Sequence, residues 1–395
     1  MKRAYANRMD KVRPSAVGEL LTLGAQPDII SFGGGYPAPE VFPVDKLNSV
    51  FVEVMNQNGP QALQYSTPEG LLQLREKLVS RMCRSGISCE LDNLFIIQGG
   101  QQGLDLVAKM LIDEGDIIVT ESPTFVGALI AFNPYEPVYK TVPMDEDGMN
   151  MDALEEILRT NARVKFIYTI PEFQNPTGVT MSLERRMRLI ELANKYDVMV
   201  LEDSPYREIR FEGEAIAPIK SFDTEGRVIY LGSFSKILSP GLRLGWVVAD
   251  KEIANKLCLL KTAADTQNST LNMYLADRFM EKYNMDEHIQ SIRVLYKTKK
   301  ETMIEAIRTY LPQSVTYTNP EGGLFTWLTF PDDVDATTLM RKRLLPEAKV
   351  AYVPGATFFP LNEEVNHCRM NYSGASRENI VKGVAALGTI LKEYC

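Results

Sequence analysis

The sequence predicts an α/β fold with a largely parallel sheet, joined to a smaller α+β unit. Three observations predict it. From about residue 45 to 285, short apolar runs of strand length alternate with stretches of helical periodicity. Those runs are bounded by turn or polar residues, as strands buried on both faces are. Beyond 285 a long helical pattern leads out of the alternation into further strands and a closing helix. At 395 residues the chain exceeds one ordinary core, in keeping with two units. We divide it into an arm at 1–44 that joins the small unit, a large unit at 45–285 and a small C-terminal unit at 286–395.

Residues 1–30 mix charge with a short amphipathic piece, Ala16 to Leu23. Ser31-Phe32-Gly33-Gly34-Gly35-Tyr36-Pro37 then forms a Gly/Pro-rich loop that regular structure excludes. Strands are expected at Leu94–Ile97, Ile117–Thr120, Val164–Thr169, Val198–Leu201, Val228–Leu231 and Leu244–Val248. Helices are expected at Gln101–Leu111, Ser182–Tyr196 and Lys251–Ala264. In Glu287–Leu311 the apolar residues Ile289, Ile292, Leu295, Met303, Ile304, Ile307 and Leu311 keep helical spacing. Leu324–Phe330, Val350–Val353 and His367–Tyr372 read as strands, and Arg377–Glu393 as the closing helix. There is no repeat and no low-complexity tract.

Composition narrows the function. A net charge of -8 and a sequence pI near 5.2 do not suit a nucleic-acid-binding surface. No apolar run approaches the length of a membrane span. The N-terminus carries Lys2, Arg3 and Arg8 with no apolar stretch behind them, unlike a secretory signal. Cys83, Cys89, Cys258, Cys368 and Cys395 show no C-x-x-C spacing and read as reduced thiols of a cytoplasmic protein. With only His288 and His367, a histidine-based metal site or triad has little material, and no metal is expected.

The richest segment is Ser233-Phe234-Ser235-Lys236-Ile237-Leu238-Ser239-Pro240-Gly241-Leu242-Arg243, directly after the run Val228–Leu231. A lysine at a strand exit beside small hydroxyl residues suits an amine of lowered pKa that forms a Schiff base. The serines and Arg243 suit a phosphate, and together they describe a pyridoxal 5′-phosphate (PLP) site. Alone, the stretch also fits a surface lysine in a Ser/Gly loop. Asp203 and Tyr206 follow the strand Val198–Leu201, at the sheet edge where ligands bind. Asp203 suits a pyridine nitrogen and Tyr206 the ring's phenolate oxygen; the plainer alternative is a helix cap and a packing ring. Asn175 sits in Gln174-Asn175-Pro176-Thr177-Gly178, which is also simply a good turn. Gln98-Gly99-Gly100-Gln101-Gln102-Gly103 joins a strand to a helix and offers backbone N–H groups to an anion, though it lacks the G-x-G-x-x-G spacing. Arg369, in Asn366-His367-Cys368-Arg369-Met370-Asn371, is either an ordinary strand arginine or a planar fork for a carboxylate.

Asn175, Asp203, Tyr206, Lys236 and Arg243, in that order and context, resemble the class I/II aminotransferases of PLP fold type I. The resemblance spans nearly the whole chain. It is strongest to the subgroup of kynurenine/2-aminoadipate, multi-substrate and aromatic aminotransferases, through Gly34-Gly35-Tyr36-Pro37, Leu63-Gln64-Tyr65-Ser66, Gly99-Gly100-Gln101-Gln102-Gly103 and Gln174-Asn175-Pro176-Thr177-Gly178. It implies an aspartate-aminotransferase-like fold with a mostly parallel seven-stranded sheet. It implies that Lys236 holds the aldehyde of PLP and moves the substrate's proton, that Asp203 pairs with the ring nitrogen, and that Asn175 and Tyr206 hold the ring oxygen. Gly100, Gln101, Ser233, Ser235 and Arg243 would bind the phosphate, with Tyr65 reaching it from the other subunit of a homodimer. Phe125 would stack on the ring where many relatives have tyrosine. Arg369, with Asn175 and the Gly35 backbone, would take the substrate α-carboxylate. Gly18 stands where 2-aminoadipate-type relatives often carry an arginine, so a distal carboxylate would need Arg13 or Arg8 instead. Tyr65, Phe125, Phe358 and Phe359 suit an aromatic or large aliphatic side chain.

The resemblance thus implies a PLP-dependent transaminase working by ping-pong half-reactions on an aromatic, large aliphatic or 2-aminoadipate-like L-amino acid and a 2-oxo acid, 2-oxoglutarate by family expectation. A PLP lyase acting at a Cβ–S bond would use the same scaffold and lysine. Some transcription regulators carry this domain as an effector sensor behind a DNA-binding module. The glycine loop near the start of the chain and the acidic charge do not suit that arrangement. A catalytically silent scaffold conflicts with the full set of cofactor residues.

Overall fold

A computed structural model describes residues 5–10, 12, 18, 26, 28–361 and 364–393. The Ala16–Leu23 piece (Gly18 apart), Arg13 and Cys395 lie outside the described residues. The strands are β1 (Ile30–Ser31), β2 (Leu94–Ile97), β3 (Ile117–Ser122), β4 (Val138–Asp145), β5 (Gly148–Met149), β6 (Val164–Thr169) and β7 (Met199–Asp203). They continue with β8 (Val228–Ser233), β9 (Gly245–Val248), β10 (Thr316–Tyr317), β11 (Phe325–Thr329), β12 (Val350–Ala351), β13 (Val353–Pro354) and β14 (His367–Asn371).

The large sheet runs β2-β9-β8-β7-β6-β3-β4-β5. β8, β7, β6, β3 and β4 pair in parallel, while β9 is antiparallel to both its neighbours. The α/β fold with a mostly parallel sheet is the one expected. The seventh strand, β4, is half-exposed and carries Lys140 and Pro143 at the edge, so it lacks the apolar run that marks its neighbours. Two-residue β5 extends it to an eighth member.

Alternation along the central strands feeds two cores. Ile118, Phe166, Leu201 and Ile229 enter one cluster, and Val119, Ile167, Val200 and Val228 enter the other. Period-two packing on both faces explains why these strands read as continuous apolar runs. Helices begin at side-chain caps that the sequence supplies: Ser182 accepts from Arg185 N, Asn284 from Asp286 N and Glu287 N, and Ser376 from Asn379 N. The helix expected from Glu287 therefore starts at Met285 and ends at Tyr310.

A second, antiparallel sheet runs β10-β11-β14-β13, and β1 pairs in parallel with β12. The stretch Val350–Val353 is split around Tyr352 into β12 and β13, which serve different sheets. Two features now fix the site. The C-terminal ends of β2, β3, β6, β7 and β8 share one edge of the large sheet, and β14 presents Arg369 between Trp327 of β11 and Val353 of β13.

Candidate active site

Lys236 lies three residues past the end of β8. Its Nζ donates to the Gly35 carbonyl at 2.7 Å. Burial, with Arg369 and then Arg243 repelling further positive charge, lowers its pKa to about 8. An amine so placed is part neutral near physiological pH, as a carbonyl nucleophile must be. The Ser233 hydroxyl accepts from Ser235 N at 3.1 Å and pins the turn that aims the lysine.

Asp203 ends β7 inside the strand, so it is no helix cap. It is 5% exposed, and Tyr168 Oη donates to its Oδ2 at 3.0 Å. Burial raises its pKa to about 7. Behind it lies a second buried carboxyl, Glu121, which accepts from Thr169 Oγ1, Gln174 Nε2 and Ile170 N. Burial also raises that group to about 7 despite those bonds. Gln174 in turn bonds Pro123 O and Thr177 N, tying the Asn175 turn to the segment before Phe125.

Asn175 joins the two halves of the site. Its Nδ2 donates to Tyr206 Oη at 3.3 Å, and its Oδ1 accepts from Arg369 at 2.7 Å. Arg369, 3% exposed, also donates to Gly33 O at 2.7 Å and lies over the rings of Phe325 and Phe358, at 4.2 and 5.1 Å. Its Nε is buried without a hydrogen-bond partner among the described residues, and burial lowers its pKa to about 10, still well above neutral. Lysine and arginine thus bind carbonyls two residues apart on one loop. An amine and a carboxylate carried on a single carbon fit that spacing.

The third part is an anion cradle. Gly99, at φ 76°, turns the chain from β2 into the helix Gly100–Leu111, whose N-terminal N–H groups face the sheet edge. Arg243 Nη2 donates to Gln98 O at 3.0 Å, beside that turn. A side chain at Gly100 would approach Asp203 Oδ1 to 3.9 Å, so cradle and carboxyl are adjacent. The Gln101 side chain turns outward to Gly127 O.

The structure therefore brings together Lys236, Asp203, Tyr206, Asn175, Arg369, Gly35, Gly100, Ser233 and Arg243, with Ser235 in the lysine turn. Phe125, half-buried, precedes the helix Val126–Phe132. Tyr65 stays outside the cluster at 79% exposure. Arg8 lines a cavity with Asp113 and Glu114, ahead of β3, at the opposite end of the sheet from Lys236. It cannot serve this chain's own site. A cavity of about 800 Å³ beside the site is lined by Ser122, Thr177, Trp327 and Phe359 but by none of the cluster's titrating groups. Sequence reasoning missed Tyr168, Glu121, Gln174 and Phe325. Only the rule that polar residues at parallel strand ends face ligands would have found Tyr168 and Glu121.

Residues 38–387 match the family description "Aminotransferase class I and II". The chain is 43% identical to aromatic-amino-acid aminotransferase 1 of Thermococcus litoralis, over 99% of this chain and 95% of that one. It is 39% identical to 2-aminoadipate transaminase of Thermus thermophilus, over 98% and 96%. The crystal structure of Pyrococcus horikoshii kynurenine aminotransferase in complex with PMP superposes with a TM-score of 0.95 at 41% identity, covering 99% and 97% of the two chains.

Proposed function

Because this chain belongs to the class I and II aminotransferases and uses pyridoxal 5′-phosphate as its cofactor, we propose that it moves the amino group of an aromatic or large aliphatic L-amino acid to a 2-oxo acid. The observation that carries the reading is the shared loop: Lys236 Nζ and the Arg369 fork bind Gly35 O and Gly33 O. An α-amino acid presents its reacting carbon beside the one and its carboxylate to the other.

The residues present fit the cofactor. Asp203 is a buried carboxyl with a raised pKa and a single hydrogen bond, from Tyr168, among the described residues. A protonated ring nitrogen supplies the countercharge that site lacks. PLP, when bound, takes up the electron pair left at the substrate's Cα. Everything else falls to the chain. Lys236 Nζ would hold the aldehyde and, once the substrate's amine has displaced it, would be the free base that takes the proton from Cα. Asn175 and Tyr206 hold the ring oxygen, and Phe125 covers the ring face. Gly100, Gln101, Ser233, Ser235 and Arg243 hold the phosphate, joined by Tyr65 of a second copy in a homodimer, which accounts for that ring's exposure here. Arg369, with Asn175 and the Gly35 backbone, orients the α-carboxylate. The Glu121–Gln174 bridge keeps Asn175 in place.

Three things support the side-chain class. Phe325 and Phe358 flank Arg369, Gly18 offers no charge, and Arg8 is remote. Among the described residues a distal carboxylate thus has no evident partner. We place the enzyme in the cytoplasm on its thiol usage; no helix among the described residues is long and apolar enough to cross a membrane. Comparing kcat/KM for phenylalanine, leucine and 2-aminoadipate tests the class. Phenylalanine or leucine should exceed 2-aminoadipate by about tenfold or more, since an unpaired buried charge costs more than a lost methylene. The reverse order overturns the assignment.

The lowered lysine pKa has a kinetic consequence. Capture of PLP by the cofactor-free protein should rise about tenfold per pH unit below 8, as the neutral amine fraction grows, and level off above it. Stopped-flow absorbance across pH 6 to 10 reads this directly. A rate still climbing towards pH 10 would mean an ordinary lysine.

A further inference from the structure

We propose that the excursion Asp265–Thr270, which links the helices Lys251–Asp265 and Thr270–Lys282, positions the cofactor's phosphate cradle, acting through Asp265 and Gln102. The proposal rests on the assignment of Gly100, Gln101 and Arg243 to that phosphate. A continuous chain of bonds leads there. Lys261, 0% exposed, donates from Nζ to Asp265 Oδ1 at 3.1 Å. Gln102 Nε2 donates to Asp265 Oδ2 at 2.7 Å, and Gln102 Oε1 accepts from Gln98 N at 2.8 Å. Gln98 O accepts from Arg243 Nη2. The N–H and the C=O of Gln98 are therefore both held, the one through Gln102 by the excursion and the other by the phosphate-facing arginine. Gln98 leads directly into the Gly99 turn, after which the helix N–H groups form the cradle.

The local structure of the excursion is costly in a way that helix stability does not explain. Asp265 closes the helix Lys251–Asp265, and a carboxylate at a helix C-terminus opposes the helix dipole. Thr266 follows at φ 64°, ψ -53°, with Gln267 N bonded to Asp265 O at 2.7 Å. This is a γ-turn of the strained hand, on a β-branched residue. Strain of this kind persists where the surroundings over-determine it, and such places cluster at functional sites. What the turn achieves is to point Asp265 at Gln102.

The same excursion holds a second segment. Gln267 Oε1 accepts from Ser66 N, and Thr270 Oγ1 donates to Gln64 O at 2.8 Å. These bonds bracket Tyr65, the residue assigned to the phosphate of a second copy. One loop thus braces the phosphate contacts of its own site and those lent to its neighbour.

The test compares equilibrium binding of PLP with that of pyridoxal, which keeps the ring and aldehyde but lacks the phosphate, by absorbance titration of the cofactor-free protein. Gln102→Met and Asp265→Ala should each weaken PLP binding about tenfold, the loss expected of a hydrogen bond to a charged group, while pyridoxal binding stays within about twofold. Arg243→Ala serves as the direct-contact reference and should show the same pattern at least as strongly. If Arg243→Ala shows it and the other two do not, the positioning role is wrong and the phosphate assignment stands. If Arg243→Ala leaves the PLP-to-pyridoxal ratio unchanged, the phosphate assignment itself fails. Equal loss of both ligands in Gln102→Met and Asp265→Ala would mark a general packing effect and overturn the proposal.

Discussion

Lys236→Ala is expected to cut transamination at least about 10³- to 10⁴-fold while leaving a folded protein that still binds PLP. Binding survives because the ring and phosphate contacts assigned to Asp203, Asn175, Tyr206 and Arg243 are separate from the lysine. Catalysis fails because the cluster offers no second free amine: Asp203 is committed to Tyr168, and Tyr206, whose pKa burial drives up, is a poor base at neutral pH. The variant should lose the absorption of the lysine-bound cofactor, and its half-reaction with an amino acid should slow by the same factor as turnover. A half-reaction rate within tenfold of wild type would show that another group moves the Cα proton.

Arg369→Lys is expected to lower kcat/KM about a hundredfold or more, chiefly through KM, with the cofactor's absorption unchanged. Arginine and lysine share a charge but not a shape. The guanidinium reaches Asn175 Oδ1 and Gly33 O with two nitrogens and keeps a third, Nε, unpartnered. A single ammonium cannot form that fork, and the site is 3% exposed, so water does not repair the loss. Truncating one member of a buried charged pair costs about 2–5 kcal/mol, which spans the factor given. An unchanged kcat/KM would mean that the substrate's carboxylate binds elsewhere.

Much of this was legible because chemistry-bearing residues follow strand ends. Asp203, Asn175 and Lys236 each come shortly after a run that reads as a buried strand, and the sheet gathers those ends onto one edge. Arg369 was legible as a candidate carboxylate fork, and only the resemblance favoured that over an ordinary strand arginine. Its partners Gly33 and Asn175 lie 336 and 194 residues away along the chain, a closure that no local pattern encodes. Tyr168 was hidden in the apolar run Val164–Thr169, where an aromatic ring counts as core and its hydroxyl is invisible. Glu121 was hidden because a lone glutamate is ordinarily exposed, whereas the fold buries this one. The edge strand β4 was missed because half of it faces solvent. The excursion Asp265–Thr270 had no visible purpose until Gln102 and Ser66 were brought against it.

The central claim is that one amine and one arginine fork make this chain a transaminase. The most direct measurement is the visible absorption of the purified PLP-bound protein, titrated with a single amino acid and no 2-oxo acid. The account predicts that the lysine-bound band disappears stoichiometrically, that the aminated cofactor grows in its place, and that a 2-oxo acid reverses the change. Persistence of the original band, or release of a 2-oxo acid and ammonia while the band regenerates unaided, would contradict it.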